Sequence, residues 1–191
     1  MSEVILGEAL GTKQQVTIAT KIGIYPPKMF FQRPNYYEIV GRKILNRVLC
    51  NCATPIIDFD FEVASASLSL SLRRLKRNNI DILFVHEPNL IKINRDQLVQ
   101  WMHSERHRVT KFGFAGKISS IKKFLPYFSP TDFVYQGPCD QLNDFTSLNY
   151  GHFSNPLLAN NQKSYKPFQE NRKSFIVYSS KKERLKEYLH K

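Results

Sequence analysis

The sequence predicts an α/β protein built on parallel strands, and three observations carry that prediction. Short β-branched or apolar segments alternate along the chain with segments of helical periodicity. One of them, residues 80–86 (IDILFVH), is a nearly continuous apolar run of the kind found in strands buried on both faces. The material for a core is present as well, since 42% of the 191 residues are hydrophobic and 13% aromatic. An open doubly wound sheet and a (β/α) barrel both satisfy this pattern.

Residues 1–10 open with Ser2 and Glu3 and carry Ile5, Leu6, Ala9 and Leu10 at helical spacing, with Gly11 placed to stop the helix. Residues 16–21 (VTIATK) are β-branched and short, a strand followed by Gly23. Residues 25–60 lose the pattern. Pro26, Pro27, Pro34 and Pro55 punctuate a basic, aromatic-rich stretch, read as a long loop or insertion with one helix around residues 37–49. Residues 61–78 are a helix with an apolar stripe of Val63, Ala66, Leu70 and Leu75, and with Arg73, Arg74, Lys76 and Arg77 where the helix dipole favours cations. After the strand at 80–86, Asn94 caps a helix reaching Trp101 to His103. Residues 109–115 form a strand, 119–127 a helix stopped before Pro130, and 133–136 a short strand. Residues 141–173 are polar and carry no assignable element, while 174–178 form a strand and 181–190 a basic helix.

Charge narrows the partners. Lys and Arg number 28 against 16 Asp and Glu, a net charge of +12 that suits a phosphate, a nucleotide, a nucleic acid or an acidic surface. No apolar run is long enough for a membrane span and the start has no secretory pattern, so a soluble cytoplasmic protein with no membrane partner is expected. Cys50, Cys52 and Cys139 are too few for a disulfide framework or a zinc site, and no metal is expected. His103 and His107 stand at i,i+4 but lack the metalloprotease pattern and read as a solvated helix end. The run from Arg73 to Arg77 reads as a charged outer helix face rather than a nucleic-acid contact.

Six segments, in order, resemble the aldo-keto reductase family. Residues 2–10 (SEVILGEAL) match its S-E-x-x-L-G-x-A-L helix, and 16–23 (VTIATKIG) the strand whose lysine belongs to a catalytic tetrad. Residues 68–88 (LSLSLRRLKRNNIDILFVHEP) match the helix and strand that end in the tetrad histidine. Residues 109–116 match the strand ending G-V-S-N, residues 133–136 the one ending in a cofactor-contacting glutamine, and 176–187 (IVYSSKKERLKE) the final strand and helix around the adenosine phosphate.

The resemblance implies one partial-barrel domain over residues 1–191, a (β/α)8 TIM barrel of aldo-keto reductase type with its site where the C-terminal strand ends meet. It implies an oxidoreductase using NADP(H) to reduce a small-molecule carbonyl or oxidise an alcohol. Lys21 and His86 fall on catalytic positions, and Gln136, Ser179, Arg184 and Glu187 on cofactor-binding ones, with Lys181 and Lys182 adding charge. In the family, a tyrosine protonates the carbonyl oxygen, a lysine paired with an aspartate lowers that tyrosine's pKa, and the histidine orients the carbonyl.

Two departures follow from the same alignment. The family's aspartate and tyrosine precede the S-E-x-x-L-G helix, which here starts at Ser2, so the chain is expected to be an N-terminally truncated member lacking the first two strands and impaired as a reductase. A further shortfall, of a seventh strand and its helix, is expected within residues 141–173; there, residues 152–158 (HFSNPLL) faintly resemble A-Y-S-P-L. Ala115 and Gly116 replace the Ser-Asn pair that binds the nicotinamide carboxamide. The alternatives are a non-catalytic remnant and a basic nucleic-acid-binding or scaffold protein; no nucleic-acid motif is visible, so nucleic acid is not an expected partner.

Overall fold

The structure, a computed structural model, describes residues 2–10, 15–25, 55–138, 148–150 and 174–176. Helix α1 (Ser2–Leu10) precedes strand β1 (Ala19–Ile22). Gly23, at a φ of 95°, turns the chain out of β1 into a two-stranded antiparallel ribbon of β2 (Ile24–Tyr25) and β3 (Ile56–Ile57). There follow α2 (Phe61–Leu75), β4 (Ile80–His86), α3 (Arg95–Ser104) with a 3-10 turn at Glu105–His107, β5 (Val109–Ala115), the single turn α4 (Ile118–Ile121), β6 (Val134–Pro138), β7 (Leu148–Tyr150) and β8 (Ser174–Ile176). Strands β1, β4, β5, β6, β7 and β8 pair in that order, each parallel to the next. Among the described residues no helix is long and apolar enough to cross a membrane.

Side chains alternate across the pleat, so register decides which residues share a face. Thr20 and Ile22 of β1 lie level with Leu83 and Val85 of β4, and these with Phe112 and Phe114 of β5; Phe114 lies level with Tyr135 of β6. The apolar members of this set face the helices and form the buried core with Ala64, Leu68, Leu72 and Leu75 of α2 and Leu98, Trp101 and Met102 of α3. Phe114 is its aromatic centre, with ring centroids 4.8 Å from Phe124, 5.0 Å from Phe128 and 5.9 Å from Tyr135.

Two features of α1 explain the S-E-x-x-L-G pattern physically. Glu3 accepts hydrogen bonds from Thr20 Oγ1 (3.0 Å), Ser71 Oγ (2.8 Å) and Arg74 (3.3 Å), joining α1 to β1 and α2 through one carboxylate. Gly7 lies against the α2 backbone, where a Cβ would penetrate the Arg74 carbonyl oxygen. A second polar knot sits at the N-terminal edge of the sheet. The buried Glu105 accepts from Ser65 Oγ (2.6 Å) and Arg108 Nε (2.7 Å), Trp101 Nε1 donates to Ser65 Oγ (2.8 Å), and Arg108 donates to Ser69 Oγ (2.7 Å).

Several elements differ from the sequence reading. The buried stripe of α2 is Ala64, Leu68, Ser71, Leu72 and Leu75, whereas Val63 and Leu70 are about 40% exposed and Ala66 is exposed. Alternating serines gave the stretch two helical phases, and the Glu3–Ser71 bond selects the one with serine inside. Lys76 ends α2 in the left-handed region at φ 55°, three residues before the expected end. The segment expected as a helix over 119–127 has one α turn and then i→i+3 turns, because Pro126 disfavours a helical Leu125. Strand β1 begins at Ala19 rather than Val16, and β7 supplies a strand inside the stretch left without one. Of the long loop, only its ends are described. They form the β2–β3 ribbon, closed by Asp58 N–H donating to the Gly23 carbonyl at 3.0 Å. The helices expected at 37–49 and 181–190 lie outside the described residues.

Gly7→Ala tests the helix packing. Backbone faces backbone at this contact, so the substitution must push α1 off α2, at a cost of about 1–3 kcal/mol. Urea unfolding should show a lower midpoint with an unchanged slope, and an unchanged midpoint would contradict the packing.

Candidate active site

The face opposite the helices carries the polar residues. Lys21 lies level with Phe84, and His86, two residues further along the same face of β4, lies level with Ala115 and Gln136. Lys21, His86 and Gln136 thus share one face at the C-terminal edge of a parallel sheet, where strand ends and following loops build sites in folds of this kind. Below them the Phe84 ring covers Gly113, where a Cβ would come within 2.8 Å of it. The β2–β3 ribbon leaves β1 at this same edge.

Electrostatics couple the cluster. Burial lowers the pKa of Lys21 although part of the side chain remains open to solvent, and the Glu87 carboxylate pulls it back up. His86 is held below 6.5, first by burial and then by the Lys21 ammonium, with Glu87 opposing. At neutral pH the imidazole is therefore uncharged, with one ring N–H to donate. Gln136 is buried, and its side-chain oxygen has no hydrogen-bond partner among the described residues. An orphaned buried acceptor is costly unless a ligand supplies the missing donor.

Glu87 is the residue that sequence reasoning missed. It stands in the left-handed region at φ 48° although it is not glycine and precedes proline, a conformation costing about 1–3 kcal/mol. Its N–H donates to the Ala115 carbonyl (2.7 Å), and its Oε2 accepts weakly from Lys117 N–H (3.4 Å). The carboxylate lies over Gly116, where a Cβ would come within 2.9 Å of Glu87 Cδ and Oε2. An acid directly after a strand-ending histidine was the available signal.

No phenol among the described side chains shares this face. Tyr25 lies with Ile22, Phe61, Ala64 and Val85 on the helix side, its pKa raised by burial first and by Asp58 and Asp60. Tyr135 belongs to the aromatic core, where burial pushes its pKa up to about 12 and its hydroxyl donates to the Phe128 carbonyl at 2.5 Å. Ser179, Lys181, Lys182, Arg184 and Glu187 lie outside the described residues, as do Cys50, Cys52 and Cys139. Among the described residues no cluster of three His, Cys, Asp or Glu could hold a metal ion.

No protein-family model and no curated protein matches the sequence. Solved structures do. A glycerol dehydrogenase from Gluconobacter oxydans is similar over 90% of this chain and 56% of its own, with a TM-score of 0.56 and 16% identity. The holo form of an aldo-keto reductase from Bacillus halodurans is similar over 92% and 47%, with a TM-score of 0.52 and 17% identity. A thermostable aldo-keto reductase solved with the inhibitor epalrestat is similar over 99% and 71%, with a TM-score of 0.60 and 11% identity. The chain spans about half the length of the first two. These likenesses establish the fold: the parallel sheet and its helices are part of a barrel of aldo-keto reductase type.

The titration of His86 tests the coupling. By NMR its imidazole should titrate below 6.5, Lys21→Met should raise that value, and Glu87→Gln should lower it further. Between the folded value and 6.5 the unfolded chain binds more protons at this site, so His86's contribution to stability falls as pH drops through that window. His86→Gln should flatten this part of the stability–pH curve. An imidazole titrating at or above 6.5 would contradict the arrangement.

Proposed function

We propose that the chain belongs to the aldo-keto reductases and acts as an NADP(H)-dependent oxidoreductase on a small-molecule carbonyl or alcohol. One observation supports this most: Lys21, His86 and a Gln136 oxygen without a partner among the described residues converge on one face at the C-terminal edge of a barrel-type sheet. The residues fit a nicotinamide. Its carboxamide would supply a donor for the Gln136 oxygen, which has no hydrogen-bond partner among the described residues. On this reading Ser179, Arg184, Lys181 and Lys182 hold the adenosine 2′-phosphate, for which a guanidinium's fork geometry is suited, and Glu187 meets the adenine amine.

When bound, the cofactor supplies or accepts the hydride. Neutral His86 donates its ring N–H to the carbonyl oxygen and orients it. The Lys21 ammonium lies on the same face and stabilises negative charge growing on that oxygen, in a cleft poorer in water than bulk solvent. Its lowered pKa also makes it a better proton donor than an ordinary lysine. The described residues place no phenol there, and a positioned general acid contributes about 10²–10⁴-fold.

Thermal unfolding with cofactor tests this reading. NADPH at 100 times its dissociation constant adds about 2.7 kcal/mol of stability to the folded state. For a chain of this size that raises Tm by roughly 5–10 °C. NADH should give a smaller rise, and Arg184→Ala should remove the difference between the two. No shift with millimolar NADPH would reject the proposal, and equal shifts with NADPH and NADH would reject the role given to Arg184.

A further inference from the structure

We propose that Glu87 reads the charge of the bound ring, so that the cleft holds the oxidised, cationic nicotinamide more tightly than the reduced, neutral one. The inference rests on the function proposed above and adds a residue and a preference that the family resemblance does not supply. Where the resemblance expects a neutral side chain at position 116, this chain has glycine, and the space above it is taken by a carboxylate from the neighbouring strand end. Any side chain at 116 would meet Glu87 Cδ and Oε2 at 2.9 Å, so the two residues compete for one place. A neutral polar group has been exchanged for a negative charge.

The backbone keeps that charge in position. Glu87 stands at φ 48° between His86 and Pro88, and its N–H is tied to the Ala115 carbonyl at 2.7 Å. Strained conformations at such points persist where surrounding structure over-determines them. The carboxylate also remains only partly neutralised. It accepts a long hydrogen bond from Lys117 N–H and forms no ion pair among the described residues; Lys21 and His86 are the groups that feel it. With His86 neutral, Lys21 and Glu87 give a cleft of balanced charge, and losing the carboxylate leaves a net positive one. A pyridinium ring is penalised by that change and a dihydropyridine ring is not.

Glu87→Gln removes the charge and keeps the shape. Dissociation constants of NADP+ and NADPH are measured by calorimetry for the 191-residue chain and for the variant, with circular dichroism confirming that both are folded. The expected result is that the variant's affinity for NADP+ falls about tenfold relative to its affinity for NADPH. Gly116→Asn, which displaces the carboxylate without removing it, should move the ratio in the same direction. Both forms binding the parent chain with a ratio unchanged in Glu87→Gln would overturn this inference alone. Neither form binding the parent chain would overturn the proposed function and this inference with it.

Discussion

The two-residue alternation of a parallel sheet, locked in register across β1, β4, β5 and β6, is the constraint on which everything else depends. Because Val85 lies level with Phe114, and Phe114 with Tyr135, the apolar residues of the set fall on the helix side together. The same register necessarily places His86, Ala115 and Gln136 in one row on the other side, with Lys21 one pleat below. A slip of one residue in β4 would bury His86 among Phe114, Phe124 and Phe128 and expel Val85. Packing of the core and assembly of the site are thus one event, driven by apolar burial and read out as polar convergence.

The two edges of the sheet use polar groups differently. At the N-terminal edge, Glu105 is satisfied by Ser65 and Arg108, and the serines by Trp101 and Arg108, which leaves little for a ligand to add. At the C-terminal edge, the Gln136 oxygen has no partner among the described residues, Lys21 and His86 are both destabilised in their charged forms, and Glu87 holds a strained backbone. Groups left unsatisfied or strained in this way are what single out this edge as the candidate site. Fixed charge of both signs, from Lys21 and Glu87, stands at this edge.

Much of the fold was legible because single residues carried it. The apolar run Ile80–His86 is a strand to the residue, and Asn94 caps α3 by accepting from the N–H groups of Asp96 and Gln97. Lys21, His86 and Gln136 could be named as a group only through the resemblance of their segments to aldo-keto reductase motifs. What could not be read depended on contacts between distant segments. The phase of α2 is set by Glu3 reaching Ser71, 68 positions away, and periodicity alone cannot see that bond. The apolar pattern of residues 119–127 is served equally well by i→i+3 turns, so periodicity does not separate them from a helix. Glu87 was not singled out, because its position over Gly116 exists only once β4 and β5 are paired.

The most direct measurement of the central claim is a two-dimensional NMR titration of the isotope-labelled chain with NADP+. It follows the side-chain amide of Gln136, the imidazole of His86 and the ammonium-bearing methylene of Lys21. The account predicts that all three move together along one binding curve, while Trp101 and Ser65 at the far edge stay still. Signals that shift at the far edge, or that follow separate curves at Gln136 and His86, would contradict it.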